Sequence, residues 1–193
     1  MVRRLRIFLV VLWMVAAQAA PAQRPQEPAP YTDPDAYDVY SALIPGLRTS
    51  RFYVIQESIP AIQFSVFTDP CFSKKFQREY RELLKNFDEA NRRPLRLLRK
   101  FHLDESYELL QPGNGGSESG EGGWGAFHKR FPGSGGIISM SAVGFNKKKT
   151  EAFVWIGFSC GPLCGSWSYR LLEKREGGWR EIEIPGGRCS MFS

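Results

Sequence analysis

Between residues 136 and 184 the chain alternates strand-forming runs with very short turn signals. The runs 136–145, 150–159, 166–175 and 179–184 are rich in β-branched and aromatic residues. They are separated by Asn146-Lys147-Lys148-Lys149, Gly161-Pro162-Leu163 and Glu176-Gly177-Gly178. Parallel neighbours need a crossover of a dozen or more residues, so connections this short predict an antiparallel meander of four strands.

Upstream of the meander the pattern is helical. Residues 36–47 carry Tyr37, Tyr40, Leu43, Ile44 and Leu47 at helical spacing, with Asp33 or Asp35 as caps and Pro45-Gly46 as a stop. Residues 51–58 read as a strand and 62–67 as a second one. Asp69-Pro70 is a helix-start signal. After it, Phe76, Tyr80, Leu83, Leu84 and Phe87 form one apolar stripe. Lys75 with Glu79, Arg78 with Glu82 and Lys85 with Glu89 are spaced to pair on the other face. Pro94 interrupts, and 95–101 reads as a short helix. Residues 111–125 form a glycine-rich polar loop, followed by a short helix at 124–131. The expected fold is α+β, with N-terminal helices and a strand packed on a C-terminal four-stranded antiparallel meander.

The first 22 residues read as a secretory signal peptide. Arg3, Arg4 and Arg6 precede an apolar run from Ile7 to Ala17, and small residues follow, with cleavage expected after Ala19 or Ala22. The run falls short of the ~20 apolar residues of a spanning helix, and no transmembrane segment is expected in the mature chain. Residues 23–35 are a proline-rich linker, and 36–193 are of a size for a single α+β domain. Losing the leader lowers the formal charge from +6 to +3. Little basic excess then remains to support nucleic-acid binding, and export to the periplasm or the extracellular space argues against it as well.

Four cysteines in an exported chain point to disulfides. Cys160 and Cys164 flank the tight turn between two strands, within bridging reach. That leaves Cys71 for Cys189, a bond worth ~4–5 kcal/mol on loop-entropy grounds. Of the three possible connectivities this one is preferred, and sequence does not decide among them. Cys160-Gly161-Pro162-Leu163-Cys164 also resembles a redox Cys-Gly-Pro-Cys with one residue too many. It lacks the helix N-terminus that stabilises a reactive thiolate, and a zinc site would need two further ligands with no histidine nearby.

No catalytic, cofactor-binding or metal-ligating set assembles. His102 and His128 are the only histidines. His128 has no Gly-x-Ser-x-Gly partner, since Gly116-Ser117-Glu118-Ser119-Gly120 places glutamate at the nucleophile position. The glycine loop lacks the lysine and hydroxyl of a phosphate cradle and reads as either a mobile lid or a plain insertion, with the plain insertion preferred. Between Lys74 and Lys100 most basic residues alternate with Glu79, Glu82, Asp88 and Glu89, as on a solvated helix face. Arg92, Arg93, Arg96, Arg99 and Lys100 are less compensated in sequence and mark a weak anionic contact. Trp155 and Trp167 read as sheet packing.

From Trp124 onward the chain resembles a family of uncharacterised exported bacterial proteins. The likeness rests on Trp124-x-x-Phe127, Phe131-Pro132-Gly133-Ser134-x-Gly136-Ile137-Ile138 and Val143-Gly144-Phe145-Asn146. It continues through Thr150, Ala152, Cys160-Gly161-x-Leu163-Cys164-Gly165, Tyr169-x-Leu171-Leu172-x-Lys174 and Gly178-Trp179. Val39-Tyr40-Ser41-Ala42-Leu43-Ile44 is similar to the family's opening helix. Cys71 and Cys189 lie outside the pattern. The resemblance implies export and no established activity. The expected role is a non-enzymatic binding or envelope-associated domain. The alternatives are a thiol–disulfide enzyme using Cys160 and Cys164, or a hydrolase under the glycine loop.

Overall fold

The computed structural model describes residues 27–47, 52–62, 64–111, 123–186 and 189–192. The leader expected at 1–22 and most of the glycine loop lie outside them. The elements in chain order are β1 (Ala29–Pro30), α1 (Pro34–Leu43), β2 (Phe52–Gln56), β3 (Ser58–Ile59), α2 (Lys74–Glu79), α3 (Arg81–Ala90), β4 (Leu95–Arg96) and β5 (Ser106–Leu110). Then follow α4 (Gly123–Arg130), β6 (Ser134–Met140), β7 (Gly144–Phe145), β8 (Glu151–Gly161), β9 (Cys164–Arg175), β10 (Gly178–Ile182) and β11 (Ser190–Phe192).

The fold is α+β. The principal sheet runs β10-β9-β8-β6-β2-β5, with β11 beside the first part of β9 and β7 beside the first part of β8. Its β6-β8-β9-β10 portion is the antiparallel meander. The β8–β9 hairpin closes at Pro162-Leu163. The β9–β10 hairpin closes at Glu176-Gly177, where Gly177 and Gly178 take φ of 90° and 121°, values a side chain would strain. The sheet is mixed, because β2 is parallel to both β5 and β6. The strand read at 51–58 therefore joins the sheet edge-on and does not pack over a purely antiparallel meander. The crossovers that make parallel pairing possible carry α2 and α3 on one side of β5, and α4 on the other.

Successive side chains of β8 point to opposite faces, so one strand serves two cores. Ala152, Val154, Ile156 and Phe158 face α1, meeting Tyr37, Tyr40, Leu43 and Ile44 together with Ile55, Ile138 and Leu172. Phe153 faces the other way, with Leu171 and Ile184, against Phe76, Leu83, Leu84 and Phe87 of α2 and α3. Beyond them α4 covers the same side with Phe127 and Phe131 over Val54 and Leu110. Helices thus lie on both faces of the sheet.

Several local expectations are revised. The helix after Asp69-Pro70 starts later. Asp69 Oδ1 accepts from Cys71 N at 2.9 Å in a tight turn, and Ser73 is the cap that accepts from Phe76 N at 3.1 Å. The helix is also broken at Tyr80, whose φ of −104° and ψ of 26° end α2 and open α3. The apolar stripe crosses this break intact. Residues 62 and 64–67, read as part of a strand, are loop instead and are held by side chains. Asp88 accepts from Val66 N at 3.1 Å and from Ser65 Oγ, and the buried Gln77 Nε2 donates to Phe67 O at 3.3 Å. Residues 95–101 are not helical, because β4 pairs with β1 and β3 in a small second sheet. Within the proline-rich stretch expected as a linker at 23–35, Ala29–Pro30 form β1, Pro34 and Asp35 already open α1, and Tyr31 between them docks. Tyr31 N donates to Arg96 O at 2.8 Å, and the Tyr31 ring packs on the core.

The run 136–145 is split into β6 and β7 by a buried asparagine. Asn91, fully buried at the end of α3, donates to Ala142 O at 3.0 Å and accepts from Ala142 N at 2.8 Å. It supplies the pairing the sheet omits there.

Candidate functional site

The cysteines are paired Cys71 with Cys189 and Cys160 with Cys164, at Cα separations of 5.6 and 5.1 Å. The first pair ties the turn before α2 to the stretch before β11 across 118 residues of sequence. The second sits at the β8–β9 hairpin end, where strand backbone flanks both cysteines in place of the helix N-terminus that stabilises a reactive thiolate. Beyond the second pair Leu163 stands 87 % exposed at the hairpin tip.

The two histidines are far from any chemical partner set. His128 is exposed on α4 and stacks beside Trp124 and Phe127. Ser117 and Ser119, its sequence neighbours, lie outside the described residues. His102 is exposed, with Nδ1 3.3 Å from Asp38 Oδ1. Among the described residues no cluster of three or more His, Cys, Asp or Glu side chains comes together. Trp155 and Trp167 flank Gly157 on the sheet face. A side chain at that glycine would collide with the Trp167 ring, so the indole occupies the place a Cβ would take.

The buried tyrosines are structural. Tyr40 Oη donates to Ser141 O at 2.7 Å, Tyr37 Oη donates to Tyr31 O at 2.8 Å, and Tyr31 Oη accepts from Val143 N at 3.0 Å. Burial raises all three phenols above their ordinary value, so they stay protonated while the fold stands. On the opposite face burial, aided by Asp69 and Asp88, pushes Tyr169 up to about 12.

Of the arginines expected to make an anionic contact, Arg96 and Arg99 meet carboxylates from other segments. Arg92 meets Glu89 three residues before it, and Arg93 meets no carboxylate among the described residues. Arg96 lies 3.1 Å from Glu27, an ion pair without an aligned hydrogen bond at Nε, and 3.7 Å from Glu57. Arg99 pairs with Glu108 at 3.3 Å and Arg92 with Glu89 at 3.4 Å. Arg96, Arg99 and Arg130 do line a depression of about 400 Å³, but Glu57 and Glu108 share its walls. With Glu27, which pairs with Arg96 from outside the lining, three carboxylates offset the three arginines.

A row of cations with no carboxylate in its lining lies on α2 and α3. Lys74, Arg78, Arg81 and Lys85 follow one another at i, i+4, i+7 and i+11 and line a groove of about 510 Å³ with Phe67 and Gln77. None of the three pairs expected from the spacing forms. Arg78, Arg81 and Lys85 meet no carboxylate among the described residues, and Lys74 Nζ meets only Gln77 Oε1 at 3.2 Å. The break at Tyr80 takes Arg78 and Glu82 out of a common helical register. The other pairs are exposed, where an i,i+4 contact is worth only ~0.3–0.5 kcal/mol and is easily left unmade.

The floor of this groove is well fixed. Gln77 donates to the carbonyls of Val66, Phe67 and Phe72 at 3.3–3.4 Å, clamping the loop around Val66 and Phe67 against α2. The same loop continues along α3, where Ile62 N donates to Asn91 O at 2.8 Å. On its crest Phe64 is 80 % exposed, over a second depression of about 250 Å³ shared with Ile62, Ser65, Asp88 and Arg92. The exposed ring thus stands over a depression of its own, while the loop that carries it lends Phe67 to the cation-lined groove. Searches against family models, curated proteins and solved structures found no match for this chain.

Proposed function

We propose that the protein is an exported, non-enzymatic, envelope-associated binding module whose α2–α3 face holds an anionic partner. The carrying observation is the row Lys74, Arg78, Arg81 and Lys85, open to solvent and paired with no carboxylate among the described residues. All four charges line one groove. Neighbours one helical turn apart stand about 5–6 Å from each other, inside the Debye length of about 8 Å at physiological salt, so the fields of adjacent cations add along it. The two cysteine pairs are compatible with an oxidising compartment outside the cytosol. Among the described residues no helix is long and apolar enough to cross a membrane. The resemblance to exported bacterial proteins points the same way. Thiol–disulfide chemistry at Cys160 and Cys164 is the second reading. Its support is the likeness to a redox motif, and the strand setting of the pair weighs against it.

Retention of the mature protein on immobilised dextran sulfate tests the module reading. It is expected to bind at low salt, to elute below about 0.5 M salt as exposed charges are screened, and to lose retention when Arg78, Arg81 and Lys85 are changed to Glu. Failure to bind, or hydrolysis of ester, peptide or glycoside substrates that disappears with His128→Ala, would overturn it. For the second reading, a free thiol titrating in the native protein, or a Cys160–Cys164 bond reduced as readily as a redox enzyme's, would favour catalysis.

A further inference from the structure

Phe64 is not explained by charge. A large apolar side chain left 80 % in water gains nothing from a soluble anion. Phe64 and Phe67 belong to one loop, and that loop is fastened to the same two helices that carry the cations. Gln77 and Asp88 hold it at its C-terminal half, and Asn91 O accepts from Ile62 N at the other end. The ring is therefore presented from a fixed platform. Asp88, the carboxylate nearest the crest, has its oxygens engaged by Ser65 Oγ and Val66 N. An apolar tip on a loop that also lines a lysine- and arginine-rich groove is what the boundary of an anionic bilayer rewards, since the ring enters the headgroup layer while the cations meet the phosphates.

We propose that Phe64 and the groove of Lys74, Arg78, Arg81 and Lys85, which its loop borders through Phe67, form a peripheral docking face for a bilayer surface carrying anionic lipid headgroups. This rests on the binding-module reading and names its partner. A free acidic polymer would use the four cations and leave the ring idle, whereas a lipid surface uses both. Phe64 is the discriminating residue, and it lies in a loop whose packing does not depend on its side chain.

The test is co-sedimentation of the mature protein with vesicles of phosphatidylglycerol and phosphatidylcholine, beside vesicles of phosphatidylcholine alone. Binding is expected only to the anionic vesicles. Each lost cation should weaken it about fivefold, so Arg81→Ser with Lys85→Ser should cost roughly 25-fold. Phe64→Ser should cost at least about tenfold on vesicles, the scale of burying a phenyl group, while retention on dextran sulfate stays unchanged. Arg96→Ser with Arg99→Ser, on the balanced depression, should leave vesicle binding unchanged, and thermal melts check that every variant is folded. Vesicle binding insensitive to Phe64→Ser, or retention on dextran sulfate without vesicle binding, overturns the lipid assignment and leaves the module reading standing. Binding to neither probe removes both.

Discussion

Asn91 shows how much one side chain can carry. Its amide makes three hydrogen bonds in a fully buried position, to Phe87 O at 2.9 Å and to both backbone groups of Ala142. Asn91→Ala would strand the Ala142 amide and carbonyl without water, and about 2–4 kcal/mol of stability should be lost in urea denaturation, at ~1–3 kcal/mol for each unsatisfied group. A second residue-scale effect is acid sensitivity. Hydrogen bonds from Lys174 and then Lys149 hold the Asp35 carboxyl below its usual range. A folded pKa below the unfolded one stabilises above about pH 4 and is lost as pH falls through the folded value. Asp35→Asn is therefore expected to flatten the acid limb of a stability–pH curve. It should cost about 1 kcal/mol or less at neutral pH, since solvent screens both lysines.

At the scale of elements, the approach of α3 to β7 has no slack. A Cβ on Gly144 would come within 2.5 Å of the Phe87 backbone, so Gly144 is what lets the helix rest against the sheet. Gly144→Ala must push α3 outward and open the contacts of Phe87 with Phe153, whose rings meet edge-to-face at 5.1 Å. A loss of about 1–3 kcal/mol is expected in denaturant melts, with weaker binding at the α2–α3 face if that helix shifts. The short meander connections and the apolar stripe of α2–α3 were readable as sequence patterns. The break at Tyr80 was not, because the stripe Phe76, Tyr80, Leu83, Leu84 and Phe87 runs across it. Nor was β5, since Ser106–Leu110 is a brief edge strand whose pairing partner β2 lies across a long crossover.

Over the whole molecule, the two cysteine bridges differ in reach. Cys71–Cys189 spans 118 residues and fastens the approach to α2 to the C-terminal stretch, whereas Cys160–Cys164 spans 4. Loop-entropy reasoning assigns ~4–5 kcal/mol to the long closure and ~2 kcal/mol to the short one. Paired Ser replacements of Cys71 and Cys189 should therefore lower the melting temperature clearly more than those of Cys160 and Cys164. Equal effects, measured by calorimetry, would mean that strain or residual structure, not chain closure, controls stability.

Local features were legible along the chain. Turn spacing of a few residues forces strands to fold back antiparallel, and an i, i+4, i+7 period forces one helix face inward, because both depend on neighbouring backbone alone. The tertiary structure decided which charges are neutralised. Arg96 and Arg99 look bare along the chain, yet Glu27, Glu57 and Glu108 arrive from other elements. Arg78 and Lys85 look paired, yet they stand open. Coulomb attraction depends on distance through space, and chain order does not contain that distance until the sheet is assembled.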